Sequence, residues 1–174
     1  MTVEVRTATH EDAAAICEVL RESIAVCCTA DHHDDPAIVA RWLANKTTEN
    51  VKKWVTAPDS VALVALRGHD MLGVALLTGH ELALCYVVPR AQHQGVGKAL
   101  LQSVEEAASA RRIEVLTLDS TKTAFPFYAR NGFSPCGPVR RWAGLEAQPM
   151  SKQLVANGAP TPSPGKPSID TTPR

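Results

Sequence analysis

Val87-Val88-Pro89-Arg90-Ala91-Gln92-His93-Gln94-Gly95-Val96-Gly97-Lys98-Ala99-Leu100-Leu101 is the stretch that decides the fold. An apolar strand ends here, a glycine-bearing turn follows at once, and the turn runs into an amphipathic helix. The first N–H groups of a helix have no intrahelical acceptor. They carry the positive end of its dipole, so the junction suits an anion, above all a phosphate. Gly95 and Gly97 remove side chains that would hold a diphosphate off the backbone. Neither common nucleotide motif fits. A dinucleotide fingerprint needs a third glycine where Leu100 stands, and a P-loop needs Ser or Thr after Gly-Lys, where Ala99 stands. A plain strand–turn–helix connection would use the same glycines, so the reading needs a second block.

That block is Thr121-Lys122-Thr123-Ala124-Phe125-Pro126-Phe127-Tyr128-Ala129-Arg130-Asn131-Gly132-Phe133, one helix and one strand downstream. Together the two resemble the GNAT superfamily of acetyl-CoA-dependent N-acetyltransferases. The family's R/Q-x-x-G-x-G/A is matched by Gln92, Gly95 and Gly97. Its N-x-x-A-x-x-x-Y-x-x-x-G-F is matched by Ala124, Tyr128, Gly132 and Phe133, with Thr121 at the Asn position. The likeness covers roughly the first 155 residues. It implies an α/β (α+β) fold: a mixed, mostly antiparallel central sheet, a parallel strand pair splayed around the cofactor, and helices on both faces.

The resemblance also implies a site. Pantetheine would lie between the strands Glu81–Val88 and Val115–Leu118, bonded by backbone groups of Val87 and Val88. The diphosphate would sit on N–H groups of His93, Gln94, Gly95, Val96, Gly97, Lys98 and Ala99, with Gln92 and Lys98 adding side-chain contacts and Thr121 a further one. The reaction would be direct attack of a neutral primary amine on the acetyl thioester of acetyl-CoA in a ternary complex, with no metal. A Val87 or Val88 N–H would receive the oxyanion. Tyr128 would be the acid for the departing thiolate, a role its spacing to Gly132-Phe133 favours over that of a core aromatic beside Phe125 and Phe127. Glu81, at the head of its strand, is the candidate base, or a solvated strand-end acid. Strict alternation puts it on one face with Ala83, Cys85 and Val87, and puts His80, Leu82, Leu84 and Tyr86 on the other. Tyr86 lines the acetyl pocket or belongs to the core.

Two function classes follow from the same motifs: an N-acetyltransferase acting on a small-molecule or peptide amine, or an acetyl-CoA-binding regulatory module that catalyses little. Other classes are disfavoured. The 174 residues carry 18 basic and 18 acidic side chains, mixed along the chain, and no basic block argues for nucleic acid. No apolar run approaches the roughly 18 residues that span a membrane. Met1-Thr2-Val3-Glu4-Val5-Arg6 lacks a signal-peptide core. Five cysteines, Cys17, Cys27, Cys28, Cys85 and Cys136, form no C-x-x-C pair and read as reduced thiols of a cytoplasmic protein. A homodimer is compatible with the sequence, which does not fix the oligomeric state.

Along the chain, Val3 to Ala8 alternates as a strand, and Thr9-His-Glu-Asp12 opens a helix as a capping-box variant. That helix carries Ile16, Leu20, Ile24 and Cys27 on one stripe. Asp35-Pro36 starts a second helix and Thr48 a third. Strands follow at Val61–Leu66, Met71–Leu77 and Glu81–Val88. After the helix from Gly95 to about Arg112 come a strand at Val115–Leu118 and a short helix to Asn131. Phe133 to Trp142 and Glu146 to Leu154 make a closing hairpin. Asp31-His32-His33-Asp34-Asp35 lacks the spacing of metal ligands and reads as a loop, plain or bordering the acceptor site. Cys27-Cys28 reads as a helix-face core pair rather than an acyl relay. Residues 1–155 form the N-acetyltransferase domain; 156–174, with five prolines, read as a disordered Pro-rich tail.

Overall fold

The computed structural model describes residues 2–155; the Pro-rich segment lies outside them. Eight strands form one sheet: β1 (Glu4–Thr7), β2 (Ser60–Arg67), β3 (Asp70–Thr78), β4 (Glu81–Val87), β5 (Val115–Ser120), β6 (Ser134–Pro135), β7 (Arg140–Trp142) and β8 (Leu145–Gln153). Their order is β1-β2-β3-β4-β5-β8-β6, with β7 paired to β8 off this path. Every pairing is antiparallel except β4 with β5. Six helices complete the fold: α1 (Ala13–Cys27), α2 (Thr29–His32), α3 (Pro36–Leu43), α4 (Thr48–Thr56), α5 (Val96–Ala110) and α6 (Phe125–Arg130).

The helix starts follow local chemistry. The Thr9 N–H donates to the Asp12 carboxylate at 2.7 Å, and Arg6 clamps that carboxylate with two 2.8 Å bonds, tying β1 to the turn that opens α1. Asp35 caps α3 through the Ala37 N–H, and Thr47 caps α4 through the Asn50 N–H. Where a loop was expected after α1, the chain forms the single turn of α2, with Asp31 and His32 buried. His32 is held at both ring nitrogens: the Asp34 N–H donates to its Nδ1 at 3.1 Å, and its Nε2 lies 3.0 Å from the Ile24 carbonyl. The expected strand Phe133–Trp142 is broken into β6 and β7. β6 ends at Pro135, and Cys136-Gly137-Pro138 separates it from β7, since proline cannot donate to a ladder.

A bulge decides which way β4 faces. Leu77 pairs with Leu82, but Leu76 pairs with Leu84, so Ala83 is the extra residue. Cross-strand partners share a face. Leu82, Cys85 and Val87 therefore share one face with Leu77, Ala75 and Gly73, and Glu81, Leu84 and Tyr86 share the other with Thr78, Leu76 and Val74. This corrects the simple alternation: Glu81 lies on the Tyr86 face, not with Cys85 and Val87. The Val87 face packs on α5, where a Cβ on Gly73 would stand 2.9 Å from Leu100. The opposite face packs on α1, where Tyr86 meets Ile24, Cys28 and Trp42.

Candidate active site

β4 and β5 part almost where they meet. Their only register pair is Glu81 with Thr117, supported by the Thr117 N–H on the His80 carbonyl at 3.0 Å. Beyond it the β5-facing edge of β4 is bare. Backbone groups alternate in direction along an antiparallel pair. The Val88 N–H donates to Leu72 of β3 at 2.9 Å, so the Val87 N–H points into the gap. The Val87 carbonyl is held by the Ser23 hydroxyl from α1 at 3.0 Å. Val88 is thus removed from the expected contacts: its N–H is spent on the sheet and its side chain is 1 % exposed.

The gap opens into a cavity of about 630 Å³ lined from both faces of the sheet. Ser23, Cys27, Cys28 and Tyr86 stand on the α1 side; Val87, Gly97, Phe127 and Tyr128 stand on the α5 side. Gln92, His93, Gly95, Lys98, Thr121 and Arg130 line it as well. At its α5 end the chain takes left-handed conformations at His93 (φ 59°) and Gly95 (φ 82°), which turn the backbone into the helix. Among the described residues, the N–H groups of His93 through Lys98 meet no backbone carbonyl. The Ala99 N–H does, bonding to Gly95 at 3.0 Å, so the expected cradle ends one residue earlier. A Cβ on Gly95 would point into open space, and one on Gly97 would stand 3.4 Å from Phe127. A row of free N–H donors with clear space before it fits a diphosphate.

Several expected residues have structural work. Gln94 braces the turn, donating to the Arg90 carbonyl at 2.8 Å and accepting from Arg67 at 3.1 Å. Val96 offers its N–H, but its side chain is core. The Thr121 hydroxyl lines the cavity while accepting from the Ala124 N–H at 3.2 Å, so it caps the turn into α6. Glu81 does not reach the cavity. It is exposed at the head of β4, on the strand's first position, about 20 Å of strand from Val87. The cavity lining on β4 begins at the next residue, Leu82. Asp119 is the one carboxylate among the described residues lining the cavity, and Arg140 holds it at 3.0 Å.

Tyr128 lies at the middle of the cavity wall, 6 % exposed, its ring edge-on to Phe127 and Phe133 at 5.2 and 5.6 Å between centroids. It is both a core aromatic and a cavity-lining residue. Burial drives its phenol well above the usual range, reinforced by neighbouring Cys85 and Tyr86, so it stays protonated across all ordinary pH. Burial likewise raises Tyr86, and pushes Cys28 and Cys85 up to about 12. Both thiols are therefore protonated and poorly nucleophilic, which argues against an acyl-cysteine relay. Ser23 is a site residue that the motifs do not mark. Its trace in the sequence is a hydroxyl inside an apolar stripe, one helical turn before Cys27.

The described residues contain no group of three or more His, Cys, Asp or Glu placed to hold a metal, and no helix long and apolar enough to cross a membrane. Asp31, His32 and Asp35 are each engaged by protein partners.

Comparison with known proteins agrees with this architecture. A family profile described as an acetyltransferase (GNAT) domain matches residues 28–154. Among solved structures, a GCN5-related N-acetyltransferase from Rhodopseudomonas palustris superposes with a TM-score of 0.79 at 24% identity, covering 88% of this chain and 97% of that one. The PaiA N-acetyltransferase from Thermoplasma acidophilum, solved with coenzyme A, gives 0.73 at 23% identity, covering 88% and 99%. YncA from Salmonella typhimurium, solved with acetyl-CoA, gives 0.67 at 21% identity, covering 94% and 100%. At these identities the structures establish a shared fold, and the profile extends over most of the chain. The chain belongs to the GNAT acetyltransferase family.

Proposed function

We propose that the chain is an N-acetyltransferase that moves acetyl from acetyl-CoA to a primary amine by direct attack in a ternary complex. The observation that carries this reading is the placement of free N–H groups, His93 to Lys98, and Tyr128 on one cavity that passes through the sheet. Acetyl-CoA supplies an activated thioester. The α5 N-terminus would hold its diphosphate by backbone donors and dipole, and the bare edge of β4 would pair with its amide arm as an added strand does. That neighbours of this fold were solved with coenzyme A and acetyl-CoA supports the same occupant.

The acceptor enters from the α1 side, past Cys27, Cys28 and Tyr86. Its ammonium loses a proton to water in the cavity before attack, since Asp119, the one carboxylate among the described residues lining it, is engaged by Arg140. The Val87 N–H, fixed in the gap by the sheet, donates to the oxygen on which charge develops. Tyr128 gives its phenol proton to the departing thiolate and regains the one that the attacking nitrogen sheds as the amide forms, so the phenol ends the cycle protonated, as its burial favours. The test is thiol release from acetyl-CoA against a panel of spermidine, free amino acids, an aminoglycoside and a peptide with an N-terminal alanine. Release that requires one amine, with the acetylated product seen by mass spectrometry, supports the reading. Tight acetyl-CoA binding with no release for any amine class would favour a regulatory module.

A further inference from the structure

Asp31 is a buried carboxylate, 6 % exposed, with no Lys, Arg or His within ion-pair distance among the described residues. Removing such a charge from water is costly unless donors replace the solvent. Three do, and all come from one turn more than 90 residues away in the sequence. The Lys122 N–H donates at 2.7 Å, the Thr123 N–H at 3.3 Å and the Thr123 hydroxyl at 2.5 Å. The same turn is capped by Thr121, whose hydroxyl takes the Ala124 N–H and whose carbonyl takes the Phe125 N–H at 3.1 Å. The Ala124 carbonyl then accepts from the N–H of Tyr128 itself at 3.1 Å. On its other side Asp31 belongs to α2, whose first turn hangs on the carbonyl of Cys28, a residue of the cavity wall. An unbroken set of short bonds therefore runs from the α1–α2 wall through Asp31 to the backbone of Tyr128.

We propose that Asp31 is a positioning residue: its carboxylate fixes the Thr121–Ala124 turn, and through it the place of the Tyr128 hydroxyl in the cavity. Charge-assisted bonds are stronger and more directional than neutral ones, and three of them converge on a segment whose other side-chain tie to a distant element, among the described residues, is the solvent-exposed Lys122–Glu146 ion pair at 2.8 Å. This explains why a buried charge is present where an apolar residue would fill the space at lower cost. The proposal rests on the reading of Tyr128 as the acid. Its function is to keep the reacting groups in register, where an error of about 1 Å can cost on the order of 100-fold in rate.

The test is a double-mutant cycle of Asp31→Asn and Tyr128→Phe, using the fastest amine of the panel at saturation. Asparagine keeps one acceptor oxygen but presents an amide to the Thr123 N–H, so the clamp loosens without a cavity. Asp31→Asn should lower kcat by about 10- to 100-fold, with the acetyl-CoA KM within about twofold. In the Tyr128→Phe background it should lower kcat no further. Thr123→Val, which removes only the hydroxyl, should give a smaller loss of the same kind and serves where the asparagine variant folds poorly. Additive losses, or wild-type turnover by a folded Asp31→Asn chain, would overturn the proposal while Tyr128 stands. Wild-type turnover by Tyr128→Phe, or no turnover with any amine, would overturn both.

Discussion

At the residue scale, Tyr128 was legible in the sequence from its spacing to Ala124 and to Gly132-Phe133, but its protonation behaviour was not, because burial is a property of the packed cavity. Tyr128→Phe keeps the ring contacts with Phe127 and Phe133, so the melting temperature should change little. Turnover should fall by about 10²–10⁴ with acetyl-CoA affinity nearly unchanged, as measured by steady-state kinetics and calorimetry. Wild-type turnover would make the tyrosine structural. Because burial raises the phenol far above 10, the wild-type pH–rate profile should show no alkaline limb from this residue up to about pH 10. The glycines give a second test. A glutamate at position 97 would start its side chain against Phe127 and bring negative charge to the helix N-terminus. Acetyl-CoA binding to Gly97→Glu should become undetectable by calorimetry in a chain that still melts cooperatively; unchanged affinity would sink the phosphate cradle.

At the element scale, strand and helix order followed from periodicity and caps, and the errors fell where one element meets another. The faces of β4 could not be read by alternation because the bulge at Ala83 is set by pairing with β3, which the sequence of β4 does not contain. For the same reason alternation puts Glu81 on the wrong face of β4, and Val88 looked free and is bonded to Leu72. Asp31 read as part of a loop because its partners, Lys122 and Thr123, lie across the molecule. A local contact was legible: the Thr9–Asp12 box, which the structure completes with Arg6. Arg6 and the Thr9 N–H hold the Asp12 carboxylate down at about 2. A carboxylate lowered in the folded state contributes stability above its unfolded pKa near 4 and loses it as pH falls toward 2. The melting temperature of the wild type should therefore drop more between pH 5 and pH 2.5 than that of Asp12→Asn. Equal drops would mean that the clamp does not couple β1 to the helix.

At the scale of the whole molecule, the sheet is complete within the described residues. β8 pairs with β5, β6 and β7, and the Leu154 N–H donates to the Glu114 carbonyl at 2.7 Å with the leucine side chain buried. Both cavity walls, the phosphate turn and Tyr128 lie before that point, and the family profile ends at residue 154. The sequence beyond Val155 contains five prolines and one large aliphatic residue, Ile169. Prolines remove backbone donors, and one large aliphatic side chain offers little apolar surface to bury. A chain ending at Val155 should therefore melt within about 2 °C of the full chain, since a shift that size in a domain of this length corresponds to only about 0.5–1 kcal/mol. It should also keep kcat and the acetyl-CoA KM within about twofold. The amine KM is the sensitive readout, because the proposed acceptor path lies on the α1 side of the cavity. A large rise there with kcat unchanged would mean that the Pro-rich segment contributes to acceptor binding, and a fall in melting temperature would mean that it packs on the domain.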